Sequence, residues 1–184
     1  EVDSIVLLTE NLSNMMRYSC DMKNHRVPLA KEIEHVKAYV SIINMRFDYS
    51  ITLECCVEAP LLQVSILKLT LQPLVENAWS HGILPKDGHR GIIRIDAEVR
   101  EEALIVTVTD DGVGITPEKS RELNAQLSEV NYEAADSEKG SGVALKNVNN
   151  RIKLSDGPEY GLTLFPAEGG GCRVVMKVKR KQNE

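Results

Sequence analysis

Apolar residues recur every three or four positions at the start of the chain. This spacing predicts an amphipathic helix that ends before residues 23–28, and its stripe consists of Ile5, Leu8, Leu12, Met15, Met16, Ser19 and Met22. A second helical pattern runs from Leu29 to Phe47. Because later helices already cover the predicted core, we expect the stripe of the first helix to face a partner.

After residue 50 the pattern changes from helical to alternating. Ile51–Val57 predicts a strand, and Glu58–Pro60 predicts the turn that follows it. A short apolar segment comes next. Leu69–His81 then predicts a helix with Pro73 near its start, where a missing N–H is least costly.

The second half of the chain contains two predicted antiparallel hairpins with two helices between them. The hairpin strands are Ile92–Val99 with Leu104–Thr109, and Tyr160–Phe165 with Cys172–Lys179. The helices are predicted at Pro117–Leu127 and Val143–Leu154. Ser128–Lys139 is polar, acidic and without a period, so it is interpreted as a mobile loop that acts as a lid over a ligand.

Together these elements predict an α/β fold, a two-layer sandwich of helices on a mixed, mostly antiparallel sheet, with a helical extension at the N-terminus. A binding pocket is expected between the two layers. We divide the chain into a helical segment, residues 1–49, and a larger domain, residues 50–184.

Composition limits the classes of function. The 184 residues are 42% hydrophobic, which is enough for a core, and the net charge of −5 argues against nucleic acid as a main partner. No apolar run reaches membrane-spanning length and no signal peptide is recognisable, so we expect no membrane insertion by these residues. The chain begins within helical sequence, and we expect it to be a soluble piece of a longer protein.

The four cysteines show no spacing typical of a zinc site. They are Cys20, Cys55, Cys56 and Cys172. Neighbouring Cys55 and Cys56 should point to opposite faces of a strand, so we expect one to be buried and one exposed. Reduced thiols in a cytosolic environment fit this pattern best.

Three motifs carry the candidate chemistry, namely Leu71–Gly82, Asp110–Gly114 and Gly140–Asn147. The first places an acid and an amide side by side on a helix. The second sets a carboxylate beside a glycine turn, where a ligand can approach the backbone. The third opens a helix, whose first N–H groups suit phosphate oxygens. A nucleotide pocket is the site that needs all three.

In this order the motifs resemble those of the GHKL, or Bergerat-fold, ATPases, and within them the sensor histidine kinases of the LytS type. The resemblance covers nearly the whole chain and implies ATP and Mg²⁺ as ligands. Asn77 matches the magnesium ligand, and Glu76 matches the acid beside it that orients a nucleophile or a metal-bound water. An exposed, solvated helix charge is the alternative for Glu76.

The same resemblance assigns the remaining ATP-binding residues. Asp110 matches the carboxylate that accepts a hydrogen bond from the adenine amino group, and Asp111 is interpreted as a turn residue. The other matching positions are Gly112 and Gly114 in the turn, Gly140 and Gly142 at the hinge before the helix, and Lys146 and Asn147 facing the phosphates. Lys146 is equally well explained as an ordinary exposed lysine.

Some residues depart from the family pattern or stay open. Ala144 stands where these kinases usually carry a glycine, and Cys172 stands where threonine is common, which puts the affinity for a triphosphate in question. His81 is assigned to the pocket, with packing on the helix as its alternative. The remaining histidines, interpreted as surface or capping residues, are His25, His35 and His89. Trp79 is expected in the core or at the pocket rim.

The resemblance implies the ATP-binding catalytic domain of a two-component sensor histidine kinase, preceded by the second helix of a dimerisation hairpin. The phosphorylated histidine would lie upstream of residue 1. The full-length protein would form a homodimer, serve a response regulator and be anchored in the bacterial membrane, with this domain in the cytoplasm.

Two alternatives from other classes remain. One is a different GHKL enzyme, such as a serine kinase that regulates a sigma factor, against which the Leu29–Phe47 helix argues. The other is a degenerate nucleotide-binding module or scaffold without catalysis, which Ala144 and Cys172 leave open.

Overall fold

The computed structural model of the protein describes residues 2–21, 25–48, 50–128 and 142–181. The helices are α1 (Val2–Cys20), α2 (Leu29–Arg46), α3 (Leu71–Asn77), α4 (Pro117–Ser128) and α5 (Val143–Asp156). The strands are β1 (Arg26–Pro28), β2 (Ile51–Cys56), β3 (Ser65–Leu67), β4 (Gly91–Arg100), β5 (Ala103–Asp110), β6 (Gly161–Pro166) and β7 (Cys172–Lys179). Among the helices in these ranges, none has the length and apolar character needed to cross a bilayer.

Five strands form the main sheet in the order β2-β4-β5-β7-β6. Strand β2 runs parallel to β4, and every other neighbouring pair in this sheet is antiparallel. The predicted mixed, mostly antiparallel sheet and both hairpins are therefore confirmed. Strands β1 and β3 form a second, antiparallel sheet that the sequence did not predict. Each has three residues, too few to show an alternating pattern.

One hydrophobic core lies between the helices and the main sheet. Helix α2 contributes the buried residues Leu29, Ile33, Val36 and Val40 to the same core as the strands. Its amphipathic pattern is therefore satisfied by the sheet and α3 rather than by α1 alone. The proposed division at residues 49 and 50 stays a prediction.

Helix α1 packs on α2 through polar groups. Asn11 donates a hydrogen bond of 3.0 Å to Ser41, and the hydroxyl of Tyr18 donates to Glu32. The apolar residues of α1 with exposed side chains are Val6, Leu8, Leu12 and Met16. Three members of the predicted stripe, Leu8, Leu12 and Met16, are thus exposed, while its last member, Met22, lies outside the described residues.

Asparagine side chains of three helices bond to the edge strands of the main sheet. Asn44 of α2 bonds to both the N–H and the carbonyl of Ile51 in β2, each at 2.8 Å. Asn124 of α4 does the same for Leu164 in β6, also at 2.8 Å. The amide oxygen of Asn149 in α5 accepts a hydrogen bond of 2.9 Å from the N–H of Leu162 in β6. These amides attach the helices to the sheet at its two edges.

The helix predicted at residues 69–81 differs at both ends. It begins two positions later, because Leu69 has a left-handed φ of 57° that a helix cannot contain. Beyond Asn77 it continues as a π-helical turn, Ala78–Ile83, in which the N–H of Leu84 reaches the carbonyl of Trp79 at 2.8 Å. Apolar spacing does not distinguish a π turn from an α turn.

The prediction for the cysteine pair is wrong in one respect. Cys55 and Cys56 are both exposed, whereas one was expected in the core. Strand β2 is an edge strand, and only its first residue, Ile51, is fully buried. All three residues in the second half of the strand, Glu54–Cys56, are exposed.

Candidate active site

A cavity of about 180 Å³ opens between the helical layer and the sheet. Its lining residues come from α3 and the π turn, the end of β5, α4, the start of α5, β6 and β7. They are Asn77, His81, Gly82, Asp110, Gly114, Ile115, Lys119, Leu123, Gly142, Leu145, Leu164 and Cys172. Of the residues predicted for the site, six meet here: Asn77, His81, Asp110, Gly114, Gly142 and Cys172.

Asp110 is the buried acid of this cavity, with 4% of its surface exposed. Its Oδ1 accepts hydrogen bonds from the N–H groups of Gly112 at 2.8 Å and Cys172 at 3.3 Å. Burial raises the pKa of Asp110, and the two N–H groups partly oppose that rise. The carboxylate is held in one orientation at the end of β5, as a group that selects a hydrogen-bond donor of a ligand must be.

Three glycines allow the backbone to close around Asp110. A Cβ at Gly82 would lie 2.4 Å from Oδ1 of Asp110, and a Cβ at Gly112 would lie 2.2 Å from the carbonyl carbon of Gly82. A Cβ at Gly171 would lie 1.8 Å from the carbonyl oxygen of Asp110. Any side chain at these positions would displace the carboxylate or its neighbours. Sequence reasoning selected only Gly112 of these three for the site.

The start of helix α5 also borders the cavity. Gly142, its N-cap residue, has a φ of 107°, a left-handed conformation, although a Cβ there would meet no atom within 4 Å. Glycine is therefore favoured by conformation rather than by space. The first N–H groups of α5 follow directly, and such groups suit an anion.

Cys172 lies on β7 beside Asp110, with its side chain buried. Burial, and then the charge of Asp110, raise the pKa of its thiol to about 12. The thiol is therefore neutral at physiological pH. Its contribution to the site is the backbone N–H that donates to Asp110, a bond that does not depend on the side chain.

Glu76 does not line the cavity. Its side chain is exposed on α3, next to Asn77, and it lies near Tyr39 of α2. Burial, and then the charge of Glu76, raise the pKa of Tyr39 to about 12. A carboxylate in this position is accessible to a reaction partner that approaches from outside the cavity.

Asn77 is half-buried at the cavity, where its amide is available to a ligand or ion. In the part of the chain that the structure describes, no three His, Cys, Asp or Glu side chains converge as a metal site. A magnesium ion at Asn77 would therefore take its remaining oxygen donors from water and a nucleotide's phosphates. The described residues fit an ion that the protein and a nucleotide bind together, rather than an ion that protein side chains bind alone.

Lys146 and Asn147, the other described residues that were predicted from the third motif, are not among the lining residues of the cavity. Lys146 is half-buried one turn into α5, and Ala144 and Asn147 are exposed. Gly140, together with the predicted loop after Ser128, lies outside the described residues. The assignments of Lys146 and Asn147 to phosphate stay predictions.

Several lining residues were not predicted. Gly82 ends the first motif, but its role depends on its contact with Asp110, which is distant in sequence. Lys119 of α4 had no signal in the sequence, and its ammonium group is 3.0 Å from both carboxylate oxygens of Glu122. The unpredicted apolar lining residues are Ile115, Leu123, Leu145 and Leu164.

His35 differs from its predicted surface role, whereas His89 agrees with it. His35 is buried, its Nε2 lies 2.5 Å from Oε1 of Gln72, and its ring lies 4.5 Å from that of Tyr18. The surface prediction is therefore wrong for His35, because α1 and α3 cover this side of α2. His89 is exposed and bonds to the carbonyl of Leu84. Neither borders the cavity.

Two family models together match almost the entire chain. The family model described as histidine kinase-, DNA gyrase B- and HSP90-like ATPase matches residues 63–182. The family model described as histidine kinase matches residues 1–51.

Curated relatives are similar along most of this chain. An uncharacterized sensor-like histidine kinase of Staphylococcus epidermidis is 31% identical over 169 residues, which cover 92% of this chain and 31% of the relative. The sensor protein kinase HptS of Staphylococcus aureus is 29% identical over 171 residues, 93% of this chain and 31% of the relative. The chain thus spans 31% of the length of these relatives.

Solved structures show the same fold. The nucleotide-free catalytic domain of the histidine kinase ThkA has a TM-score of 0.62 at 17% identity, covering 86% of this chain and 97% of that one. ThkA in complex with the response regulator protein TrrA has a TM-score of 0.61 at 15% identity, covering 98% and 49%. The histidine kinase domain of a blue-light activated kinase from Erythrobacter litoralis has a TM-score of 0.55 at 18% identity, covering 98% and 76%. The predicted fold is confirmed.

Proposed function

Because this chain belongs to the family of histidine kinase-, DNA gyrase B- and HSP90-like ATPases, we propose that it is the catalytic region of a sensor histidine kinase. It binds ATP in the cavity between α3, α5 and the sheet. It transfers the γ-phosphate to a histidine in a part of the full-length protein that these residues do not include. The match of residues 1–51 to the histidine kinase model supports this class over a serine kinase of the wider family.

The observation that carries the proposal is the buried Asp110 carboxylate at the base of the cavity, enclosed by glycine backbone. A fixed carboxylate attracts the amino group of adenine and repels the carbonyl oxygen that guanine has in its place. Gly142 and the start of α5 lie at the same cavity and suit the phosphates.

Asp110→Asn is expected to weaken ADP binding by about 1.5–3 kcal/mol, the range for a hydrogen bond that involves a charged group. The preference for ADP over GDP should fall with it. Isothermal titration calorimetry with both nucleotides measures the change. Equal ADP affinity for wild type and variant would remove Asp110 from the adenine site.

Two controls separate binding from folding in this experiment. Asp111→Asn alters an exposed carboxylate beside the site and should leave ADP affinity unchanged. Because burial raises the pKa of Asp110, ionisation of this group opposes folding as the pH rises through its folded-state pKa. We therefore expect the unfolding temperature of empty Asp110→Asn at pH 7 to equal or exceed that of wild type.

Asn77→Ala is expected to abolish the Mg²⁺ dependence of ATP binding, because the amide oxygen of Asn77 would be lost to the ion. Titrations in excess Mg²⁺ and in excess chelator should give the same affinity for the variant and different affinities for wild type. Asn14→Ala, at an exposed position of α1, is the matched control. A full Mg²⁺ effect in Asn77→Ala would contradict the assignment.

The partners of the full-length protein are also part of the proposal. ThkA is a histidine kinase whose structure contains a response regulator protein, and we propose that this chain likewise serves a response regulator. The exposed apolar residues of α1 support a homodimer formed through the helical segment. A membrane-anchored full-length protein with this region in the cytoplasm completes the proposal.

A binding module without catalysis is the second candidate, and Ala144 and Cys172 are the observations that favour it. Such a module would bind nucleotide weakly or without regard to Mg²⁺. The titration in Mg²⁺ and chelator therefore separates the two candidates before any transfer assay.

A further inference from the structure

Glu32 of α2 is a fully buried carboxylate that lies away from the nucleotide cavity. Its Oε1 accepts from the N–H of Leu69 at 2.7 Å, and its Oε2 accepts from the N–H groups of Thr70 and Leu71, each at 2.9 Å. The hydroxyl of Tyr18 in α1 also donates to Oε1. Four donors from two other parts of the chain thus meet at one acid.

The three N–H groups belong to the residue before the N-cap, the N-cap residue and the first residue of helix α3. A helix begins with N–H groups that have no partner within the helix, and a side chain near the N-cap usually satisfies them. Thr70, the N-cap residue of α3, makes no side-chain cap hydrogen bond. Glu32 takes over this function from a different helix, so α2 sets where α3 begins and how it is oriented.

The loop before α3 is held from a second side. Arg151 of α5 donates to the carbonyls of Lys68 at 2.6 Å and Leu69 at 3.2 Å. Leu69 has a φ of 57°, a conformation unfavourable for a leucine that persists only where the surroundings enforce it. Arg151, bonded to the carbonyl of Leu69, and Glu32, bonded to its N–H, together hold Leu69 in this conformation.

The end of α1 is part of the same cluster. Lys68 donates to the carbonyl of Asp21 at 2.6 Å, and its ammonium group lies 4.5 Å above the ring of Tyr18. Burial, and then the charge of Glu32, raise the pKa of Tyr18 well above its usual value. The hydroxyl therefore keeps its proton and remains a donor. A change in the position of α1 would break the hydrogen bond from the Tyr18 hydroxyl to Glu32.

We propose that Glu32 is a positioning residue for the nucleotide site and that Tyr18 couples it to α1, so that displacement of α1 shifts α3. Helix α3 and the turn after it carry Asn77 and His81, whereas Asp110 belongs to the sheet. Release of Glu32 therefore changes the Mg²⁺ side of the cavity, at Asn77, more than the adenine side, where the N–H groups of Gly112 and Cys172 hold Asp110. This inference rests on the proposed function of the cavity.

Two measurements on the 184-residue chain test the coupling in Glu32→Gln and Tyr18→Phe. Hydrogen exchange of the nucleotide-free protein measures how firmly the start of α3 is held. In both variants the N–H groups of residues 69–71 should exchange faster than in wild type. Calorimetry with ADP reports the consequence: the gain in affinity due to Mg²⁺ should fall about tenfold in Glu32→Gln, as expected for loss of charged hydrogen bonds. Affinity in excess chelator should be unchanged.

The matched controls are Glu34→Gln, at an exposed carboxylate on the same helix, and Tyr160→Phe, at a tyrosine whose ring packs on Lys177. An equal loss of affinity with and without Mg²⁺ would show a general structural role for Glu32 and overturn the inference, as would unchanged exchange at residues 69–71. Should Glu32→Gln fail to fold, the exchange of residues 69–71 in Tyr18→Phe decides. If wild type binds no ADP, the proposed function is wrong, and the exchange measurement still decides the coupling.

Discussion

Glu76→Gln is expected to lower the rate of phosphoryl transfer to histidine by about 10²–10⁴-fold, the range for loss of a general acid or base. ATP affinity should stay close to that of wild type, because Glu76 does not line the cavity. Its exposed carboxylate stands beside Asn77, the proposed magnesium ligand, and is accessible to an imidazole that approaches from outside the cavity. The rate of appearance of acid-labile phosphate on a purified protein that carries the acceptor histidine measures the effect.

Glu118→Gln is the matched control for this experiment. Glu118 is an exposed acid on α4, next to the cavity residue Lys119, and its removal should not change the transfer rate. Transfer by Glu76→Gln at the rate of wild type would contradict the proposed role. A parallel loss of ATP affinity would instead place Glu76 among the binding residues.

Gly171→Ala is expected to lower the free energy of unfolding by about 2–5 kcal/mol. One part is the cost of a left-handed conformation for a residue with a Cβ, about 1–2 kcal/mol, because Gly171 has a φ of 87°. The other part is steric, about 1–3 kcal/mol, because the new Cβ would lie 1.8 Å from the carbonyl oxygen of Asp110. Urea unfolding monitored by Trp79 fluorescence gives the difference.

Gly169→Ala separates the two contributions. Gly169 has a similar φ of 83°, but a Cβ there would meet no atom within 4 Å. It should therefore lose only the conformational part, about 1–2 kcal/mol. Equal losses for the two variants would mean that the turn moves freely relative to Asp110. In that case the turn does not enclose the carboxylate as described.

Most of the fold could be predicted from periodicity. The helices and both hairpins were recognisable because each is long enough to show its period and ends at a turn residue. The β1–β3 sheet and the start of α3 could not be predicted. The first has strands that are too short, and the second depends on Glu32, which is distant in sequence and gives no local signal.

The candidate site shows the same division. Asp110, Asn77 and Gly142 belong to contiguous motifs, and the structure brings them to one cavity. Gly82 and Gly171 also pack closely against Asp110. Their contribution is visible only in the folded structure, where three distant segments of the chain meet. Functional roles within the cavity, including those of Glu76 and Lys146, stay predictions until the variants are measured.

Asparagines at the sheet edges have a consequence for solubility. An edge strand with free N–H and carbonyl groups invites pairing with another chain. Asn124 and Asn149 occupy such groups on β6, and Asn44 occupies both groups of Ile51 on β2. Asparagine side chains of the helices therefore occupy backbone groups with which a further strand could otherwise pair. Partial detachment of α4, as in heating or in a core variant, would expose β6 as a template for intermolecular strand pairing before the sheet itself unfolds.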